Sequence, residues 1–178
     1  VRHYDYRMAW IGRYEDGAVK PYIWKGHADK YLDGLVLDIR EPDSPDAHCA
    51  MSRAIIDGRP FGYQNLATDR GFAAWRDYAL ELGYGSNLAL PVIIDGNTEG
   101  GVMVYSSSPN GFSKERIERM EMLVGEFVNI LSERRLRKSA LVALKESESR
   151  LRFLTDNILD LVVIIDSKGV VGYVSPSV

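Results

Sequence analysis

Cysteine and histidine are the side chains here whose spacing could do chemistry, and they are few. Cys49 is the only cysteine, and His48 stands directly before it; His3 and His27 are the other histidines. A thiolate or an imidazole can hold haem iron from one axial side, so His48 or Cys49 could anchor a haem and make the chain a redox sensor. A cysteine near a helix N-terminus also has a lowered pKa and a raised reactivity. The other reading makes Cys49 a small buried hydrophobe on the apolar face of a helix, with His48 a surface residue one step round. One cysteine permits neither an internal disulfide nor a multi-cysteine zinc site. A single thiol fits a reducing compartment. No H-E-x-x-H, C-x-x-C, G-x-x-x-x-G-K-[ST] or G-x-G-x-x-G occurs. With no catalytic set in view, the expectation is that the chain is not itself an enzyme.

The remaining candidates belong to ligand binding. Small-ligand pockets are lined by apolar and aromatic groups with a few polar anchors. Trp10, Tyr31, Tyr63 and Trp75 are the candidate aromatics, beside Trp24, Phe72 and Tyr78. Arg53, Asp69 and Asn87 are the polar candidates, beside Asn65, with Cys49 completing the set. Tyr63 and Trp75 read equally as core, and Asp69-Arg70 as a turn.

The elements that must position these residues follow from punctuation and periodicity. RMAWIGRYE (7–15) is strand-like, Asp16-Gly17 is a hairpin signal, and AVKPYIWKG (18–26) is its partner. Pro21 places that partner at an edge. ADKYLDGL reads as a short helix. Ser44 as N-cap, Pro45 in the first turn and Gly58 as the stop predict one helix over 44–58. FGYQNLA (61–67) reads as a strand and FAAWRDYALELGYG (72–85) as a helix. SNLALPVII (86–94) and GGVMVYSSS (100–108) are strands around Asp95-Gly96.

From Ser113 onward the stretch to Leu159 has no proline and one glycine, Gly125. Ile117, Met120, Val124, Phe127 and Leu131 step by 3, 4, 3, 4, a coiled-coil seam. SERRLRKS (132–139) interrupts it, and Leu141, Leu144 and Leu151 resume in a different register. A continuous helix over 114–158 would reach about 68 Å at roughly 1.5 Å per residue. Such a rod asks for a partner, and its own copy is the expected one, giving a homodimer. Leu161–Ile165 and Val170–Val174 then form a hairpin, marginal on its own.

Composition agrees with a globular chain. Of 178 residues, 46% are hydrophobic and 26% charged, and the net charge of −3 gives no basic nucleic-acid surface. The cluster Arg134-Arg135-Leu136-Arg137-Lys138 could touch anionic lipid or nucleic acid; it reads better as a solvated helix face. No run of 18 apolar residues asks for a membrane span, and VRHYDYRMAW has no apolar signal core. The expected location is cytoplasmic.

The stretches AWIGRYEDG, KYLDGL, AIIDGRPFGYQNLATDRGFAAWRDYALELGYGSNLALPVIIDG and GVMVYSSSPNGFSKERIERMEMLVGEF together resemble the GAF domains of bacterial and archaeal sensor histidine kinases. ESESRLRFLTDNILDLVVIIDSKGVVGYVSPSV resembles the entry to a PAS domain. The resemblance implies an α+β fold: a central antiparallel sheet flanked by helices, a ligand pocket over one face, a long C-terminal helix and a partial PAS hairpin. It implies a GAF-like sensory domain over 1–130, a helical coiled-coil linker over 131–155 and the start of a PAS-like domain over 156–178. The function implied is a sensory module of a two-component histidine kinase. It would take a small-molecule ligand, or sense redox state, and pass the result through the dimeric helix 114–158 to downstream PAS and kinase domains. A ligand-free dimerisation scaffold is the alternative. Some GAF sensors hold haem or a bilin near His48-Cys49, though phytochrome-type sites carry Cys-His in the opposite order. No cyclic-nucleotide signature is present. Free-methionine-sulfoxide reductases share this fold but use several cysteines. Here the family's opening helix is reduced to VRHYDY, and its glycine-rich loop is replaced by EPDSPDAHCAM.

Overall fold

The computed structural model describes residues 5–26, 31–156 and 163–174. They divide into two compact units, Val1–Ser132 and Glu133–Val178.

Unit 1 is built on a five-stranded antiparallel sheet. Its strands are β1 (Tyr6–Glu15), β2 (Ala18–Gly26), β3 (Leu37–Asp38), β4 (Ser86–Ile94) and β5 (Asn97–Ser106), in the order β3-β2-β1-β5-β4. Two Asp-Gly pairs make the tight hairpins: Asp16 and Gly17 have φ of 51° and 79°, Asp95 and Gly96 of 52° and 80°. Both central residues at positive φ give the turn that matches the sheet twist. Chain alternation then sorts the apolar residues. Met8, Trp10, Ala89, Met103 and Tyr105 face one core cluster. Ala9, Leu88, Leu90, Val102 and Val104 face a second.

The first cluster is covered by α1 (Pro45–His48), α2 (Ala50–Asp57), a 3₁₀ helix (Arg70–Trp75) and α3 (Arg76–Glu81). Ser44 caps α1 by accepting from the Ala47 amide at 3.2 Å, and Gly58 ends α2 at a φ of 63°. Between them the single expected helix is broken. Cys49 is extended, and the phenolic O–H of Tyr63 donates to the His48 carbonyl at 2.6 Å. That tertiary bond takes an acceptor a continuous helix would use. The expected helix over 72–85 is likewise divided, beginning as 3₁₀ at Arg70 and continuing as α3 to Glu81. The expected strand over 61–67 is a single bridge, Phe61 to Ala89. The described part of ADKYLDGL is turn, not helix.

The second cluster is covered by α4 (Lys114–Asp156), whose Ile117, Met120 and Val124 pack on Leu88, Leu90, Val104 and Phe112. This corrects the expected seam. Three of its five residues are used against the chain's own sheet and are not free to meet a partner. Met122, Leu123, Phe127 and Ile130 remain exposed.

In unit 2 every described residue of α4 from Glu133 to Leu154 is exposed. A two-stranded sheet pairs β6 (Val163–Ile165) with β7 (Val171–Val174). Its turn is held by Asp166 Oδ1, which accepts from the amides of Lys168 and Val170 at 2.8 and 3.0 Å. The expected strand residue Leu161 lies outside the described residues. Among the described residues no helix is long and apolar enough to cross a membrane.

Candidate functional site

Beneath the 3₁₀ helix lies a cavity of about 130 Å3, walled by β1, β5, the segment leading to β3, and the helices over the first core cluster. Trp10 enters from β1 and is 2% exposed. A Cβ at Gly12 would stand 2.8 Å from Cζ3 of Trp10 and 2.6 Å from Val19, so glycine at this position leaves room for the indole. Met103 and Tyr105 enter from β5, two residues apart and therefore on one face. Cys49 enters from the break between α1 and α2. Phe72, Ala74 and Trp75 come from the 3₁₀ helix, Tyr78 from α3, and Tyr31, Leu35 and Leu37 from the segment approaching β3. No charged side chain is among them.

The rings are packed against one another. Tyr31 stacks on Tyr78 at 5.5 Å, and Tyr84 and Tyr105 approach to 4.6 Å. Phe72 lies between Tyr63 and Trp75, at 5.5 and 6.3 Å. The hydroxyls of Tyr31 and Tyr105 share one hydrogen bond of 3.0 Å across 74 residues of chain. Burial pushes both phenols well above their ordinary pKa, so they stay protonated. The indole Nε1–H of Trp10 is buried with no partner among the described residues. An orphaned buried donor costs about 1–3 kcal/mol.

Cys49 is 5% exposed. Its sulfur lies 3.1 Å from the Ser52 hydroxyl and accepts from the Ser52 amide at 3.4 Å. The expectation of a lowered pKa at a helix N-terminus is overturned: burial pushes the thiol up, and the hydrogen bonds from Ser52 only partly oppose it. His48 is exposed, and its carbonyl is occupied by Tyr63. Haem does not fit here. Pockets for even drug-sized ligands run to ~300–1,000 Å3, the thiol is already engaged, and the imidazole is outside the core. A bilin fails on the same volume. His3 and His27 lie outside the described residues, and among those described no group of three or more His, Cys, Asp or Glu could hold a metal ion.

Of the eight residues singled out in the sequence, Trp10, Tyr31, Cys49 and Trp75 line this cavity. The other four stand around it. The Tyr63 ring packs on Phe72, and its hydroxyl spans to the carbonyls of His48 and Gly71. Burial raises the Tyr63 phenol to about 12. Asn87 Oδ1 accepts from the Tyr63 amide at 3.0 Å, joining that segment to β4. Asp69 caps the 3₁₀ helix by accepting from the Gly71 amide at 3.0 Å. Arg53 pairs with Asp57 at 3.3 Å and lies over the Phe61 ring, 5.4 Å from its centre. These four hold the wall in place and do not line the cavity. The wall residues Met103, Tyr105, Leu35 and Leu37 went unread in the sequence. For the pair on β5 the signal was present, since Met103 and Tyr105 alternate with Val102 and Val104.

A cavity over one face of a curled antiparallel sheet, with a helix on the opposite face, marks an α+β domain of one sheet and two helical layers. The profile of the GAF domain matches residues 1–132, three quarters of the chain, and the chain belongs to that family. No curated protein sequence is significantly similar to it. Solved structures share the fold. The type II free methionine-R-sulfoxide reductase of Thermoplasma acidophilum aligns with a TM-score of 0.58 at 14% identity, over 74% of this chain and 82% of its own. The GAF domain region of a putative membrane protein of Geobacter sulfurreducens aligns at 0.57 and 15%, over 71% and 82%. A domain of a putative two-component sensor histidine kinase of Sinorhizobium meliloti aligns at 0.53 and 14%, over 75% and 83%. At these identities the likeness is one of fold.

The expectation that the chain is not an enzyme is corrected by the first of these. Reductases are built on this fold as well as regulatory domains, so the lack of a linear catalytic motif sets no chemistry aside. The fold gathers its cavity from side chains far apart in sequence, where a motif search cannot see them.

Proposed function

We propose that this GAF domain is the sensory module of a signalling protein of the two-component histidine kinase kind. A small molecule would enter the cavity beside Trp10, Tyr31, Cys49 and Trp75, and its presence would be passed to α4. The observation that carries this is β5. Its Met103 and Tyr105 form the cavity wall, while the alternating Val102 and Val104 lie in the core cluster on which α4 packs. A shift of one strand by a ligand therefore reaches the seating of Ile117, Met120 and Val124 through rigid, close-packed contacts.

Beyond the sheet, α4 is proposed to pair with the same helix of a second copy. Leu123, Phe127 and Ile130 are exposed, as are Leu141, Leu144 and Leu151. In the sequence these six fall in one heptad register, stepping 4 and 3 from 123 to 130 and again from 137 through 141 to 144. Arg134, Arg137 and Glu148 take the polar positions of that register and would weaken it locally. The earlier seam mixed this register with the stripe that faces the sheet. The segmentation into 1–130, 131–155 and 156–178 is kept as part of this reading, with the last segment the start of a PAS-like domain and the setting cytoplasmic. The β6–β7 hairpin supports a larger host, because Ile164, Ile165 and Val170 are more than half exposed and a lone hairpin is marginal.

Native mass spectrometry of the purified chain tests the first step; a non-covalent small-molecule adduct is expected. Hydrogen exchange tests the second. Emptying the cavity should change protection at the amides of residues 117–124. An adduct whose removal leaves those amides unaltered counts against the relay.

A further inference from the structure

The wall chemistry narrows the ligand, given that the cavity is a ligand site as just proposed. About 130 Å3 is close to the ~150 Å3 apolar cavity that holds a single benzene ring. A nucleotide or macrocycle is too large. Among the described residues no Asp, Glu, Lys, Arg or His lines the space, so a buried anion or cation would find no counter-charge there, and burying an unpaired ion costs far more than burying a dipole. Aromatic faces can substitute for a carboxylate toward a cation. Here they are partly taken: Tyr31 stacks on Tyr78 and Tyr105 packs on Tyr84.

The polar groups left over are donors. The indole N–H of Trp10 has no partner among the described residues. The Tyr31 and Tyr105 hydroxyls share one bond in which either oxygen can be the donor. An unpartnered indole N–H and a hydroxyl pair able to exchange donor roles, in an otherwise apolar wall, match a ligand oxygen with lone pairs.

We infer that the cavity takes a small neutral molecule of single-ring size carrying a hydrogen-bond acceptor, and discriminates against ions of either sign. Ala74 lines the space with Trp75 and Tyr78 and is itself exposed, so we take entry to be past Ala74.

Calorimetric titration of the full chain with five probes tests this. Benzamide, benzoate and benzylammonium vary charge at nearly constant shape; phenol and toluene differ by an acceptor. Benzamide is expected to bind at least about tenfold tighter than benzoate or benzylammonium, and phenol several-fold tighter than toluene. Trp10→Phe should narrow the phenol–toluene gap, and if that variant does not fold, the wild-type comparison stands by itself. Ala74→Phe, at an exposed position, should remove binding of all probes while leaving the melting temperature unchanged. Benzoate or benzylammonium binding as tightly as benzamide overturns the inference and leaves the ligand-site reading intact. Binding by none of the five at millimolar concentration overturns both. Binding unaffected by Ala74→Phe places the probes elsewhere and overturns the assignment to this cavity.

Discussion

Phe72→Ala probes the wall most directly. Phe72 is 1% exposed and meets Tyr63 and Trp75 ring to ring. Truncating a buried phenylalanine typically costs 3–5 kcal/mol, part transfer and part void. Two features of this site push toward the low end. One side of the ring already borders the cavity of about 130 Å3, so the dispersion contacts on that side are absent before the mutation. The 3₁₀ helix is also a surface element that can settle inward. We therefore expect a loss of about 3 kcal/mol. For a unit of this size that is a fall in melting temperature of about 10–15 °C. Urea unfolding followed by tryptophan fluorescence should show the same loss in midpoint at unchanged slope. A bound probe at a hundred times its Kd should return about 2.7 kcal/mol. A loss below about 1 kcal/mol would refute the packing described, because it would mean the ring is not seated between Tyr63 and Trp75.

Three further outcomes follow from the same contacts. Ile117→Asp should destabilise unit 1 by about 2–4 kcal/mol by placing a charge against the second core cluster, whereas Leu123→Asp should leave its unfolding within about 0.5 kcal/mol but shift light scattering from dimer to monomer. The Cys49 thiol and the phenols of Tyr31, Tyr63 and Tyr105 all have raised pKa values in the fold; the folded state holds these protons more tightly, so stability should be full below about pH 9 and fall as pH rises toward about 12, a decline that Tyr63→Phe should make shallower in pH-dependent melts. Cys49 should react with a soluble disulfide reagent only at the rate of local opening, with no fast phase at pH 8, and a burst of native-state labelling would contradict its burial.

How much of this was legible follows the range of the forces involved. The Asp16-Gly17 and Asp95-Gly96 hairpins, the Ser44–Pro45 helix start and the Gly58 stop were all readable, because each is set by sterics and hydrogen bonds within four residues. The alternation of β1 and β5 was readable for the same reason, and with it the inward face that carries Trp10, although Met103 and Tyr105 on the same face went unread. The break at Cys49 was not, because it depends on a hydroxyl from Tyr63, fourteen positions along. Nor was the fate of Ile117, Met120 and Val124: a 3-4 apolar stripe is the same pattern whether it meets a second helix or a sheet. The Tyr31–Tyr105 bond, the volume of the cavity and the depth at which Cys49 sits are likewise products of chain segments meeting across the fold. The sequence by itself determined where the chain turns and which residues seek burial. Only the tertiary structure decided what each of them is buried against, since contact energies between distant segments leave no mark in local spacing.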